Sequence, residues 1–172
     1  ALDHPSTDMR LTAYDMIKSV APTEAAELLA ARVPEEQESL APLLVILARI
    51  DLEAAMAALE EAMDDPAPER RREAAQAVGD IASSTQPTEF HDRFFPRLAR
   101  ALADEPVAEV RERQVWALSR GRTHAELLTE ALLPVLRGDP APEVRASAAS
   151  SLGSLDIVTA ELRAEALLAA LD

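Results

Sequence analysis

The chain has three histidines, His4, His91 and His124, and each stands alone. None has a second histidine three or four residues away, the spacing that sets two metal ligands on one helical face. Cysteine is absent, which removes disulfides, thiolate zinc sites and thiol nucleophiles. Carboxylates are abundant, 31 Asp and Glu against 17 Lys and Arg, so close acid pairs arise by chance and do not mark a general acid and base. No glycine-rich phosphate loop, Walker sequence or nucleophile elbow occurs. These absences point away from catalysis, a bound metal or a cofactor, and toward binding.

Two further groups of residues stand out. Arg71, Arg111 and Arg145 recur at one position after similar acid–proline turns. A repeated guanidinium in register is expected to bridge to a carboxylate such as Asp65, Glu105 or Asp139 in its own or the adjacent unit. The rival is a ligand-binding arginine row. Trp116, the single tryptophan, has Arg113 and Arg120 within one helical turn on either side. An exposed tryptophan beside arginine is a frequent composition of binding hot spots. The competing role for Trp116 is to cover a gap beside Gln114.

The elements that must position these residues are helices. Alanine and leucine dominate the apolar half of the composition, aromatics make up 3%, and only four glycines occur. No segment reads as a strand. Three segments align without gaps: residues 64–71 (DDPAPERR), 104–111 (DEPVAEVR) and 138–145 (GDPAPEVR). Their prolines, Pro66, Pro106 and Pro140, end one helix and force a turn. Pro68 and Pro142 fit the first turn of the next helix, and Glu69, Glu109 and Glu143 complement its positive end. The unit is helix, tight turn, helix, with turns expected at 64–68, 104–108 and 138–142.

The second helices, expected at 71–81, 111–121 and 145–155, carry matched positions. Ala74, Gln114 and Ala148 form one set; Ala77, Ala117 and Ser151 the next; Val78, Leu118 and Leu152 a third. These fall on one face at helical spacing. Gln76, Trp116 and Ser150 share a position that this core pattern leaves outside. In the first helices, Leu52, Met56, Leu59 and Met63 form an apolar stripe, as do Phe94, Leu98 and Leu102. Phe90, Phe94 and Phe95 are accordingly read as core, and Ser147, Ser150 and Ser154 as a solvated face. Upstream, residues 23–33 and 36–50 read as a helix pair split by Pro34. Residues 8–20 and 159–171 read as single helices of incomplete units. Thr123 and Glu126 have capping-box spacing and should open the helix that ends near Arg137.

The pattern Asp-Pro-x-x-Glu-Val-Arg, followed by an alanine-rich helix closing in Leu-Gly-x-Leu, resembles the HEAT repeat, especially its short, phycobilisome-lyase-type form. Residues 139–155 carry it best. The second unit departs at Gln114, Trp116 and Gly121, and the first has Arg70 where the valine falls. The resemblance implies an all-α fold, a right-handed α-α superhelix or solenoid of four to five helical hairpins, forming one domain over residues 1–172 of a longer array. It also implies a non-catalytic scaffold for protein partners, whose candidate contacts are Trp116, Arg113, Arg120, Gln76 and Ser150. A small-ligand or chromophore-lyase-like protein is the alternative. The His-Glu dipeptides of HEAT-like di-iron hydroxylases are missing.

The net charge of −14 disfavours nucleic acid, which demands a basic footprint, and favours a partner bearing a basic patch or segment. Lys18 is the only lysine, and this arginine bias with the acidity fits a high-GC genome or adaptation to high salt. The longest apolar run, 43–50, is broken by Arg49, so no membrane span is expected, and the default location is cytoplasmic.

Overall fold

The computed structural model describes residues 21–36, 39–85, 88–121 and 125–154, together with Met9, Thr12, Ala13, Asp15 and Met16. The expected helices at 8–20 and 159–171, and Thr123 with its capping box, lie outside the described residues apart from those isolated positions. Every regular element described is a helix: α1 (Pro22–Arg32), α2 (Leu40–Ala48), α3 (Leu52–Met63), α4 (Pro68–Thr85), α5 (Thr88–Asp104), α6 (Ala108–Leu118), α7 (Ala125–Gly138) and α8 (Pro142–Gly153). None is long and apolar enough to cross a membrane.

The chain divides into two compact units, residues 1–81 and 82–172, with the boundary inside α4. In the first, α2 packs on α3, and α1 touches both. Its core is aliphatic. Leu29, Leu40, Leu43, Leu44, Leu47, Met56 and Leu59 are essentially fully buried. In the second unit α5 packs on α6 and α7 on α8, while α5 also meets α7 and α6 meets α8. Two helical hairpins are therefore layered with like helix against like.

The matched small positions explain how α6 and α8 approach one another closely. Ala74, Ala77, Ala117 and Ala148 are all fully buried, as are Val78 and Leu118, with Leu152 at 1% exposure. The first-helix stripes behave likewise. Met56, Leu59 and Met63 are buried on α3, and Phe94, Leu98 and Leu102 on α5, although Leu52 at the start of α3 is half-buried. Phe90 and Phe94 stack at 4.7 Å, and His91 lies parallel to Phe95 at 5.0 Å. All three phenylalanines are fully buried, so they belong to the core.

The three repeated turns are built alike. Asp65, Glu105 and Asp139 each accept the amide of the residue two positions on, Ala67, Val107 and Ala141, at 2.8, 3.0 and 2.9 Å. Such side-chain-to-backbone bonds close a turn in which proline supplies no donor. Six residues later an arginine donates back to the same residue's carbonyl. Arg71 bonds Asp65 O at 2.8 Å, Arg111 bonds Glu105 O at 3.2 Å and Arg145 bonds Asp139 O at 3.0 Å. The recurrent arginine thus holds each turn against the helix that follows it.

Some boundaries differ from the sequence expectation. The helix expected over 36–50 begins only at Leu40. The carbonyl of Glu36 accepts from Arg70 at 2.6 Å, and its carboxylate accepts from the amide of Ser39, which holds Glu36 and Ser39 outside the helix. The first second-helix runs longer than expected, Pro68–Thr85, and the next ends at Leu118 rather than Gly121. There the hydroxyl of Ser119 donates to Trp116 O at 2.6 Å. Gly121 lies directly on Phe95, where a Cβ would stand 1.9 Å from the ring.

Candidate functional site

Arg111 forms a buried ion pair in the second unit. Its Nε and Nη2 donate to both carboxylate oxygens of Asp139, at 2.7 and 2.8 Å. The two side chains are only 10% and 5% exposed. This paired geometry matches the planar fork of guanidinium to the carboxylate and joins α6 to the turn before α8. The hydrogen bond to Asp139 holds the Arg111 guanidinium above its ordinary pKa, against the opposing effect of burial. Burial pushes Asp139 upward, but the hydrogen bonds from Arg111 and the Ala141 amide, with the charges of Arg111 and Arg145, outweigh it. Its carboxyl therefore sits below the usual value. Arg111 thus bridges to a carboxylate as expected, and Arg71 and Arg145 donate to turn carbonyls, so each arginine of the row braces a turn.

Arg70 is a second brace, where the other repeats bury Val110 and Val144. Its Nε meets Asp65 at 2.8 Å, and its two terminal nitrogens donate to the carbonyls of Glu36 and Val33 at 2.6 and 3.1 Å. The valine position in this repeat has become a clasp between the turn and the loop after α1.

Trp116 lies in the last turn of α6 and is half-buried. The guanidinium carbon of Arg113 stands 5.4 Å from its ring centroid and that of Arg120 4.7 Å, so two cations flank one indole. A tryptophan face attracts a cation through its quadrupole, by about 0.5–1 kcal/mol at an exposed site. Arg113 is half-buried and Arg120 exposed. Arg120, beyond the C-terminal end of α6, is also favoured by the negative pole of that helix.

The five sequence-predicted contact residues fall in both units. Arg113, Trp116 and Arg120 form one cluster at the C-terminal end of α6. Ser150 is exposed on α8, the helix packed against α6. Gln76 lies in the first unit on α4, half-buried, and its amide donates to Asp80 at 2.8 Å. Sequence reasoning missed the Arg70 clasp, and the signal was its departure from valine. It also passed over a shallow recess of about 340 Å³ in the first unit, lined by Pro22, Thr23, Ala26, Glu27, Ala30, Ile50, Asp51 and Ala54. Asp51 there is committed to capping α3 through the Ala54 amide, at 2.9 Å, and no basic side chain lines the recess.

Among the described residues no cluster of three or more His, Asp or Glu side chains is arranged to hold a metal ion. His91 is buried beside Phe95 and Phe90; His4 and His124 lie outside the described residues. Compared with known proteins, the chain matches no family model and no curated protein sequence.

Proposed function

We propose that this chain is a non-catalytic, HEAT-like scaffold, a right-handed solenoid of helical hairpins whose second helices present a surface to a protein partner. The observation that carries this reading is the half-buried Trp116 flanked by Arg113 and Arg120 at the C-terminal end of α6. Tryptophan and arginine are the residues most enriched among those that dominate binding energy. An indole that is neither sealed in the core nor isolated on the surface offers a rigid apolar face at little entropic cost. The layering of α5 with α7 and of α6 with α8 supports repeat stacking, which generates extended binding surfaces. The net charge of −14 favours encounter with a partner that carries a basic region.

The test is cross-linked capture from an extract of the source cells, comparing wild type with Trp116→Ala. Loss of a specific partner, with thermal stability nearly unchanged, supports the reading. Retention of every partner by the variant, or a fall in stability of the size expected for a core aromatic, about 3–5 kcal/mol, refutes it.

A further inference from the structure

The charge that matters at Trp116 is opposite in sign to the charge of the chain. Acidic residues outnumber basic ones by 31 to 17, yet the two side chains against the indole are both arginines. A guanidinium stacked on a ring spends its face there and keeps its N–H groups along the edge, where they match a carboxylate two at a time. Arg120 is exposed, and among the described residues no carboxylate lies within ion-pair distance of it. On the same helix Glu112 and Glu109 are exposed about one and two turns before the ring, so the positive ground lies toward Arg120. The adjacent helix α8 offers the small side chains of Ser147, Ser150 and Ser154, with Ser150 and Ser154 exposed. Ser154 turns its hydroxyl back to Ser151 O, and Ser151 turns its own to Ser147 O.

From this we infer that the Trp116 patch receives an acidic–aliphatic peptide segment of the partner: an aliphatic side chain lies on the indole and a neighbouring Asp or Glu carboxylate engages the Arg120 edge. The inference rests on the scaffold reading and adds the chemistry of the bound segment. A basic segment is repelled by the exposed Arg120 at this point, whatever its attraction to the rest of the surface. A nucleic-acid strand brings a phosphate at every nucleotide and meets the surrounding acids after only two cations.

Trp116 is the sole tryptophan, so intrinsic fluorescence reports from the site itself. The first measurement is quenching by iodide and by caesium at equal ionic strength, each referred to a free tryptophan amide. Charges beyond about 10 Å are screened at 0.1 M salt, so the quenchers sense the local sign. Iodide should quench about twofold more effectively than caesium, and the preference should vanish in the Arg113→Gln/Arg120→Gln variant, whose circular dichroism and melting curve serve as the folding control. The second is titration of wild-type protein with a short Glu/Leu peptide, its Lys/Leu counterpart and an oligothymidylate. Saturable change with the Glu/Leu peptide alone, weakened at least about tenfold by removing both arginines, is the expected result. Preferential caesium quenching, no response to the Glu/Leu peptide, or binding of either competitor in its place overturns the inference. If the inference fails while Trp116→Ala still abolishes capture of a natural partner, the scaffold reading survives with a different ligand chemistry.

Discussion

Asp139→Asn isolates the buried ion pair with little collateral change. Asparagine keeps an oxygen where Asp139 Oδ1 accepts the Ala141 amide, so the turn can close as before. It loses the charge and the acceptor of the Arg111 Nε, leaving the buried Arg111 its Nη2 bond to the retained oxygen and its bonds to the carbonyls of Glu105 and Pro106. Breaking a buried pair from one side costs about 3–5 kcal/mol, because the remaining charge has been desolvated without a partner. Arg111 retains three acceptors, which places the expected loss near the lower end, about 3 kcal/mol at pH 7. For a chain of this size that corresponds to a melting shift of about 6–12 °C. Urea denaturation followed by Trp116 fluorescence reads the second unit, and circular dichroism reads all helices together.

The sign with pH follows from the depressed Asp139 carboxyl. Its stabilisation is complete above the unfolded-state value of about 4 and disappears as pH falls through the lower folded-state value. Asparagine has no such dependence, so the gap between wild type and variant should be full at pH 6–7 and close steadily below about pH 4. A loss under about 0.5 kcal/mol at neutral pH, or a gap of unchanged size at pH 3, would refute the reasoning.

Arg70→Val restores the residue found in the other two repeats and should nevertheless destabilise by about 2–3 kcal/mol, since two loop carbonyls and Asp65 lose their donor; a urea midpoint at or above wild type would contradict the clasp. Gly121→Ala should cost about 1–3 kcal/mol or more, because its methyl group must displace the fully buried Phe95 ring; an unchanged melting temperature would count against that packing. Leu118→Ala should cost about 2–5 kcal/mol, whereas Gln114→Ala one turn earlier should change stability by less than about 1 kcal/mol. The contrast arises because Gln114 is 3% exposed with its Oε1 lacking a hydrogen-bond donor, so removing the amide relieves as much as it loses; equal losses for the two would be inconsistent with it.

The helix-turn-helix units and their three turns were legible from residues alone because every partner in them is local. An acid binds an amide two positions on, and an arginine six positions on closes the loop. The apolar stripes were legible for the same reason: helical periodicity places Phe94, Leu98 and Leu102 on one face whatever they meet. The Trp116 cluster was legible because Arg113 and Arg120 lie within a turn of it on the chain.

Tertiary structure decided what depended on residues far apart in sequence. Arg111 finds Asp139 across 28 positions, and Arg70 finds the Glu36 carbonyl across 34. Glu73 reaches the Ala41 amide at the start of α2, at 3.4 Å, so a distant carboxylate serves that helix end. Local rules would break a helix at Pro96 or Pro134, at a cost of about 3 kcal/mol each. Yet α5 and α7 run through both, since they bury Phe94, Phe95 and Leu98 on one helix and Leu128, Leu132 and Leu136 on the other. Periodicity names the face that will be buried, but which distant group compensates a missing donor, an early helix end or a departed valine is set only when the helices pack.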